Sequence, residues 1–294
     1  MHTNKRDGKS KVVFNIIAYV LITIAVVASV VPFLMILSGS FSSNSAILRD
    51  GYSLLPREVT LDAYRMIFAF PKEIGRAYLV SITVTLVGTL GGLVIMTMAG
   101  YALQRKDLRY RNQISFFFYF TTLFSGGMVP WYMLISSLGM RETIWALIIP
   151  MMCNSFNILL IRNFMRGIPD SLTESAKIDG AGDLYILAKI IVPLSKPIIA
   201  TVGLFLALAY WNDWFHASLF MKDASKWPLQ YRLYQILSAQ YAMSQGAQYM
   251  ISGSPPTESI KLANAVISVG PIILLYPFLQ KYFVQGITIG AVKG

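Results

Sequence analysis

The sequence has little charge and almost no cysteine. Asp, Glu, Lys and Arg make up only 13% of the 294 residues, about half of the roughly 25% found in average soluble domains. A soluble chain of this length would need polar surfaces around about two domains, so a cytosolic enzyme is not expected. The one cysteine, Cys153, lies in an apolar stretch, which excludes a secreted domain held together by disulfides.

Motifs for several kinds of chemistry are also missing. The two histidines and the cysteine stand at positions 2, 216 and 153, which is not a metal-ligand spacing. No Walker A pattern (G-x-x-x-x-G-K-[ST]) occurs, so the chain does not bind ATP by that route. The net charge is +11, but the cations stand between long uncharged runs and do not form the basic face that nucleic-acid binding needs. We therefore expect no catalytic residue, no metal and no nucleic-acid partner.

The sequence is rich in long runs of hydrophobic residues. Hydrophobic residues make up 55% of the chain, and the mean hydropathy is +0.56. A bilayer core of about 30 Å needs about 20 apolar residues per helix. Six runs meet this need, near 12–37, 77–103, 113–136, 143–165, 197–220 and 262–284. The sequence therefore predicts an all-α integral membrane protein with six transmembrane helices.

Lys and Arg predict how these helices are oriented. The N-terminal tail, the short loop 104–112 and the longer loop 166–196 are rich in cations, and loops of this kind stay in the cytoplasm. Both termini are therefore expected in the cytoplasm, and loops 38–76 and 221–260 outside. The predicted parts are residues 1–76 (tail, first transmembrane helix and first external loop), 77–284 (a core of five transmembrane helices) and 285–294 (cytoplasmic tail). A cleaved signal peptide is the alternative to a retained first helix.

The cytoplasmic loop has a helix-turn-helix pattern of its own. Residues 169–193 read PDSLTESAKIDGAGDLYILAKIIVP. Ser171 and Glu174 have the spacing of a capping box at a helix start. Gly180 is expected to end that helix, because glycine readily adopts the left-handed turn. The pattern predicts a compact knob at the membrane surface, either a docking element or an interfacial hairpin without a partner.

The same loop carries a resemblance to a known family. Glu174-Ser175-Ala176, Gly180, Ile190 and Val192-Pro193 resemble the EAA loop of ABC-importer permeases, whose pattern is E-A-A, three residues, G, nine residues, I-x-L-P. Ser175 and Val192 are the two departures from that pattern. Other segments are similar to maltose-type carbohydrate permeases, including the branch serving acidic oligosaccharides such as alginate or aldouronate: Phe156-Asn157-Ile158, Arg162-Asn163-Phe164, Trp211-Asn212-Asp213 and the tail 286–294.

The resemblance implies a type I ABC importer permease fold and one subunit of a larger machine in the bacterial inner membrane. A second homologous permease would complete the pore, two copies of a cytoplasmic ATPase would bind ATP and Mg, and an extracytoplasmic solute-binding protein would deliver the oligosaccharide. The chain itself would be non-catalytic and bind no cofactor. The residues implied in coupling to the ATPase are Glu174, Ser175, Ala176, Asp179, Gly180 and Ala181.

Polar and aromatic residues in or beside the apolar runs are candidates for the substrate path. Asn154 and Asn157 lie three apart, so they share a helix face and either bond to another helix or line the pore. Sugar rings stack on aromatic faces, and amides and carboxylates bind hydroxyl groups. That chemistry favours Tyr210, Trp211, Asn212, Asp213 and Trp214, for which an interfacial aromatic belt is the other interpretation.

Two further points stay open at this level. Gly88 and Gly92 form a small-xxx-small pair whose contact is either within the chain or with the partner permease. An ion-coupled secondary sugar transporter is the alternative function, and a membrane-embedded enzyme is a further one. Secondary transporters usually place ionisable residues within their helices. The uncharged stretches on which the six predicted helices are based (12–48, 77–104, 112–140, 143–161, 197–212 and 262–280) contain no Asp, Glu, Lys or Arg.

Overall fold

The structure, a computed structural model, describes residues 5–247, 258–271 and 273. Part of the predicted external loop (248–257), the end of the predicted last helix (272 and 274–284) and the tail 285–294 lie outside the described residues. Within the described part the chain is almost wholly helical, and its β-structure is limited to one isolated bridge between Ser42 and Val59. This confirms the predicted all-α fold class for the described part.

The described residues form α-helices that we number in chain order. They are α1 Lys5–Ser40, α2 Asn44–Asp50, α3 Asp62–Ile67, α4 Pro71–Gln104, α5 Arg111–Leu123, α6 Met128–Ser137, α7 Trp145–Ile148, α8 Ser155–Met165, α9 Asp170–Ile178, α10 Asp183–Ile186, α11 Val192–Leu194, α12 Lys196–Trp211, α13 Phe215–Phe220 and α14 Leu229–Ala247. Short 3-10 helices span Ile149–Met151 and Ala224–Lys226, and a π-helical segment spans Leu187–Ile191. Residues 258–271 are also helical.

Two of these helices are long and apolar enough to cross a membrane without a break. They are Lys11–Ser40, within α1, and Pro71–Gln104. Two bent pairs bring the number to as many as four: Trp145–Met151 with Ser155–Met165 at 43°, and Asp183–Leu194 with Lys196–Trp211 at 83°. The described residues thus support two to four spans, and the six predicted spans stay a prediction.

Three predicted helices are interrupted, which corrects their expected continuity. Region 113–136 breaks at 124–127, region 143–165 at 152–154 and region 197–220 at 212–214. In the first region α5 ends at Leu123, and Gly127, at φ +85°, is the N-cap residue of α6. In the second region Asn154 caps a new helix. Apolar content alone could not show these interruptions, because each depends on backbone conformation and local hydrogen bonds.

The described residues divide into two compact units, 5–69 with 236–247 and 258–269, and 70–235 with 270, 271 and 273. In the first unit the predicted loop 38–76 is partly helical, because α2 and α3 lie within it. The Ser43 hydroxyl accepts the Ala46 backbone N–H at 3.1 Å and so caps α2. The Tyr64 hydroxyl lies 2.8 Å from that of Ser40, which joins α3 to the end of α1.

The second unit is built around α4, which packs along α8 and α12. Three glycines of α4 allow the close approach. A Cβ on Gly88 would overlap the Tyr210 ring, one on Gly92 would meet Leu206, and one on Gly100 would meet Ile161. We call this region the helix crossing. The Gly88/Gly92 pair therefore makes its contacts within the chain, which decides between the two alternatives left by the sequence.

Candidate functional site

The loop that resembles an EAA motif folds as a helical hairpin, residues 170–194, called here the EAA-like hairpin. Helix α9 begins at Asp170, as predicted, but the residue that caps it is Pro169 and no side chain caps its N-terminus. The predicted capping box of Ser171 and Glu174 is therefore not formed. Pro169 suits this position because its fixed φ leads into a helix and it has no N–H to satisfy.

The turn after α9 is held by backbone hydrogen bonds. Gly180 has φ +80°, the left-handed conformation that glycine adopts without steric cost. Its N–H donates to the Lys177 carbonyl at 3.0 Å, and the Ala181 N–H donates to the Ala176 carbonyl at 2.9 Å. This pair of bonds is a Schellman motif, which satisfies the last carbonyls of the helix. The predicted role of Gly180 as a turn residue is confirmed.

The second arm of the hairpin continues into α12. Helix α10, the π-helical segment and α11 follow one another from Asp183 to Leu194, and the chain then bends by 83° into α12. Pro193 and Pro197 flank the bend at Ser195, and a proline cannot donate the backbone hydrogen bond of a regular helix. The hairpin is thus joined covalently to a helix of the crossing.

The hairpin has a buried face and an exposed face. Ile186, Leu187 and Ile191 are buried and hold it against the core. Ile178 and Leu184 are 87% and 73% exposed. Large exposed apolar side chains beside charged ones are typical of a protein-protein contact.

The six residues implied in coupling lie around the turn. An open groove is lined by Ala176, Asp179, Gly180 and Ala181 together with Tyr185, so four of the six lie together. Glu174 and Ser175 are exposed on α9, and Glu174 lines a separate cleft with the segment that follows α4.

That segment makes an ion-pair network with the hairpin that sequence reasoning missed. Arg105 pairs with both Asp107 and Asp183, and Lys177 lies 3.7 Å from Asp107 and 4.0 Å from Asp183. We call these four residues the Arg105 cluster. The Arg105 guanidinium lowers the pKa of the Asp107 carboxyl to about 2. The charged run Arg105-Lys106-Asp107 was the available signal, but its partners in the hairpin lie more than sixty positions further along the chain.

Lys106 makes a second, more exposed link between the same two segments. Its ammonium lies 2.5 Å from the Asp170 carboxylate. The Lys106 and Asp170 side chains are 78% and 55% exposed, whereas that of Arg105 is only 17% exposed.

The predicted substrate-path segment 210–214 divides into buried and exposed residues. Tyr210 is buried under Gly88, and its hydroxyl donates to the Ile148 carbonyl at 2.6 Å. Trp211 is also buried. Asn212 is exposed, and Trp214 is 41% exposed, with its ring 4.7 Å from that of Tyr234.

Asp213 and the two asparagines organise the chain breaks. The Asp213 carboxylate lies 3.0 Å from His216 Nδ1 and accepts the His216 backbone N–H at 3.2 Å. Asn154 is exposed and caps α8, its side-chain oxygen accepting the Asn157 N–H at 3.0 Å. Asn157 is buried within α8. The two asparagines therefore meet at a helix start and do not share the face of one unbroken helix.

A cavity beside the break at 124–127 was not foreseen from the sequence. It measures about 460 Å³ and is lined by Ser125, Gly126, Gly127, Met128, Pro130, Trp131, Leu134 and Phe215. The Gly126-Gly127 pair was the available signal, since two glycines inside an apolar run often mark a break. The cavity brings the break before α6 beside the start of α13.

Cations near 222–232 make internal contacts. The Lys226 ammonium donates to the Glu142 carbonyl at 2.6 Å, and the Glu142 carboxylate accepts the Lys222 and Asp223 backbone N–H groups. Arg232 pairs with Glu73, and its guanidinium lies 5.6 Å from the Trp227 ring. Lys226 and Arg232 are thus engaged in contacts within the chain.

The fold and site define a helical membrane protein. Its helix α4 packs against α8 and α12, and these two helices are joined by the EAA-like hairpin. The chain belongs to the family of binding-protein-dependent transport system inner membrane components, which matches residues 97–289. It is a non-catalytic permease subunit of a carbohydrate ABC importer, with the type I permease fold. Transport in this family depends on a binding protein, so an ATPase and a solute-binding protein are implied partners.

Similar proteins include two from Bacillus subtilis (strain 168). The polygalacturonan/rhamnogalacturonan transport system permease protein YtcP is 42% identical over 282 residues, covering 96% of this chain and 98% of that protein. Protein LplC is 42% identical over 266 residues, covering 90% of each. A crystal structure of a bacterial ABC transporter involved in the import of the acidic polysaccharide alginate contains a chain 32% identical, with a TM-score of 0.79. That match covers 96% of this chain and 99% of the other.

Proposed function

We propose that this chain is one of two related pore-forming subunits of an ATP-driven importer, and that it passes an acidic oligosaccharide into the cytoplasm by alternating access. The observation that carries the proposal is the EAA-like hairpin: an exposed, rigidly capped turn continuous with α12. A rigid element joined to a pore helix is what a separate ATPase needs in order to move the pore. ATP and Mg belong to that ATPase, of which the complex holds two copies.

The acidic nature of the sugar is supported by the similar proteins. One is named for transport of polygalacturonan and rhamnogalacturonan, and another takes part in the import of alginate, an acidic polysaccharide. Polygalacturonan consists of uronic acids, so each of its units carries a carboxylate. Among the candidates, an alginate-, aldouronate- or galacturonate-type oligosaccharide fits both relatives.

Coupling to the ATPase is assigned to Glu174, Ser175, Ala176, Asp179, Gly180 and Ala181. Glu174 offers an exposed carboxylate for a cation on the ATPase, and Ala176 and Ala181 are small enough for close approach. The exposed side chains of Ile178 and Leu184 supply apolar area that the contact would bury.

The substrate path is assigned to the chain breaks. Non-helical backbone at membrane depth is tolerated where it is buried in protein or lines an aqueous cavity, and transporters often bind substrate at discontinuous helices. Asn154, Asn212 and Trp214 are exposed at such breaks and are the residues we assign to sugar contact. Tyr210, Trp211, Asp213 and Asn157 make contacts within the chain in this structure and would shape the path around them.

The proposed arrangement in the inner membrane has six spans with both termini in the cytoplasm. The parts keep the boundaries 1–76, 77–284 and 285–294, with coupling loop 166–196 and external loop 221–260. Single cysteines at Ser53 and Ser252, in a chain whose Cys153 is replaced by serine, should react with a membrane-impermeant maleimide from outside. Labelling of position 252 only after permeabilisation would contradict this topology.

The function is tested by isolating the tagged chain from its native membrane and reconstituting the complex. We expect an ATPase, a second permease and a solute-binding protein to co-purify, and ATP hydrolysis to rise with binding protein loaded with oligogalacturonate or oligoalginate. Uptake of a neutral oligosaccharide of equal length is the control. Uptake driven by an ion gradient without ATP would contradict the proposal as a whole. ATP-driven uptake of the neutral sugar alone would contradict only the substrate class.

A further inference from the structure

The Arg105 cluster joins two parts of the chain that are not neighbours in sequence. Arg105 directly follows α4, while Asp183 is the first residue of α10 in the EAA-like hairpin. The hairpin is covalently joined to α8 before it and to α12 after it. Helix α4 has no such covalent connection to the hairpin. The polar contacts at its end supply a direct link, beside the apolar core that both segments share.

The arrangement of charges suits a stable contact, called here the joint, between the end of α4 and the EAA-like hairpin. Arg105 and Asp107 on one side meet Lys177 and Asp183 on the other, so each cation lies between two carboxylates. The guanidinium also lies 5.8 Å from the Tyr101 ring. The Arg105 side chain is 17% exposed, while those of Asp107 and Asp183 are 59% and 56% exposed. Because the cation is shielded, water screens these pairs less than a pair in which both side chains are exposed.

A joint at this end of α4 could transmit movement, because α4 runs from there into the helix crossing. Its glycines bring it into direct contact with α8 and α12 at the helix crossing, without side chains to absorb a displacement. A movement of the hairpin that also carries the end of α4 would therefore shift all three helices of the crossing together. A hairpin free of α4 would pull on α12 and α8 alone.

We propose that Arg105 and Asp183, supported by Asp107 and Lys177, are positioning residues that make α4 move with the EAA-like hairpin, so that ATP hydrolysis is coupled to opening of the pore. This inference rests on the proposed coupling role of the hairpin. It assigns no contact with the ATPase to Arg105 and concerns only the transfer of movement inside this chain.

The test compares Arg105→Ala and Asp183→Ala with the wild type in the reconstituted complex. Three quantities are measured together: ATPase bound per permease, the rate of ATP hydrolysis, and oligosaccharide transported per ATP. We expect unchanged ATPase binding and at least a severalfold fall in sugar per ATP. If the two residues had a merely structural role, the variants would yield less assembled complex, but the complexes that form would transport as much sugar per ATP as the wild type. That result would overturn the proposal.

An exchange variant separates the charge interaction from local damage. In Arg105→Asp with Asp183→Arg, both acids stand on the α4 side and both cations on the hairpin side, so attraction is kept. We expect this double variant to recover most of the sugar-per-ATP ratio that either single substitution loses. A ratio no better than that of the single substitutions would overturn the proposal.

Lys106→Ala and Asp170→Ala are the matched controls. They remove the other ion pair between the same segments, but its side chains are largely exposed, and exposed pairs contribute little. We expect less than a twofold change. A loss as large as that of Arg105→Ala would overturn the assignment to the Arg105 cluster.

Gly180→Asp distinguishes failure of this inference from failure of the proposed function. If Gly180→Asp lowers the sugar transported per ATP while Arg105→Ala and Asp183→Ala do not, the hairpin couples the ATPase to the pore, but the Arg105 cluster has no part in this coupling. If none of the three has an effect, the coupling role of the hairpin itself is wrong.

Discussion

The helix crossing and the EAA-like hairpin are held together by different forces. In the crossing, α4 meets α8 and α12 through Gly88, Gly92 and Gly100, and shape decides what fits. In the hairpin, backbone hydrogen bonds close the turn at Gly180, and a Cβ there would meet nothing within 4 Å. The helix crossing thus has no spare volume, whereas the turn of the hairpin has open space around it but a constrained backbone.

This difference predicts which changes each region tolerates. The crossing should reject any added side-chain volume, even a methyl group, because protein interiors are close-packed. The hairpin should accept polar or larger side chains wherever φ is negative. It should reject them where φ is positive or where a charge pair is lost. The three predictions that follow test this contrast, from the largest expected effect to the smallest.

Gly88→Ala should give the largest loss of stability. The new Cβ would overlap the buried ring of Tyr210, which cannot move freely because its hydroxyl is bonded to the Ile148 carbonyl. Overpacking of this kind costs about 1–3 kcal/mol. Thermal unfolding of the purified chain in detergent measures the effect. Gly75→Ala in the same helix is the control, since nothing lies within 4 Å of its Cβ position; equal losses from both would contradict packing as the cause.

Tyr210→Phe should destabilise the crossing by less. The ring stays under Gly88, so packing is kept, but the hydrogen bond to the Ile148 carbonyl is lost. Loss of one such bond costs about 0.5–1.5 kcal/mol. The same unfolding measurement applies, with Tyr119→Phe, whose side chain is 54% exposed, as the control. A Tyr210→Phe variant as stable as the Tyr119→Phe control would mean that the hydroxyl contributes nothing.

The smallest effect is expected for the pH dependence of Asp107→Asn. Near neutral pH, the effect of this substitution on sugar transported per ATP should not change with pH. The folded pKa of Asp107, about 2, lies below the ordinary value of 3.8. Its contribution is thus complete above pH 3.8 and is lost only as the pH falls toward 2. The difference in sugar per ATP between the wild type and Asp107→Asn should therefore be the same from about pH 5 to about pH 8. A difference that disappears toward pH 5 would contradict this ionisation state.

Local features of the fold were the ones that sequence could predict. The long apolar runs of α1 and α4 are helices near the expected bounds, and Gly180 forms the expected turn, because neighbouring residues decide both. The capping box at Ser171 failed, since Pro169 already provides the helix start. The breaks at 124–127, 152–154 and 212–214 were missed because apolar length does not report backbone conformation.

Contacts between distant residues were beyond sequence reasoning. Tyr210 and Trp214 belong to one aromatic segment, yet one is buried and the other exposed, and this depends on which face α4 covers. Arg105 and Asp183 look like ordinary solvated charges in the sequence. Only the fold shows that the end of α4 lies against the start of α10.

The central claim, that the EAA-like hairpin couples the ATPase to the pore, is tested most directly by the ratio of sugar transported to ATP hydrolysed. The measurement compares the wild type with Gly180→Asp, Glu174→Lys and the control Gly182→Ala. Gly180 has φ +80°, where a side chain costs about 1 kcal/mol or more, while Gly182 has φ −73° and should tolerate alanine.

We expect Gly182→Ala to keep the wild-type ratio. Gly180→Asp and Glu174→Lys should insert into the membrane normally and yet lower the ratio, reduce the bound ATPase, or both. Wild-type ratios and wild-type ATPase content in both variants would contradict the claim that this hairpin is the coupling element.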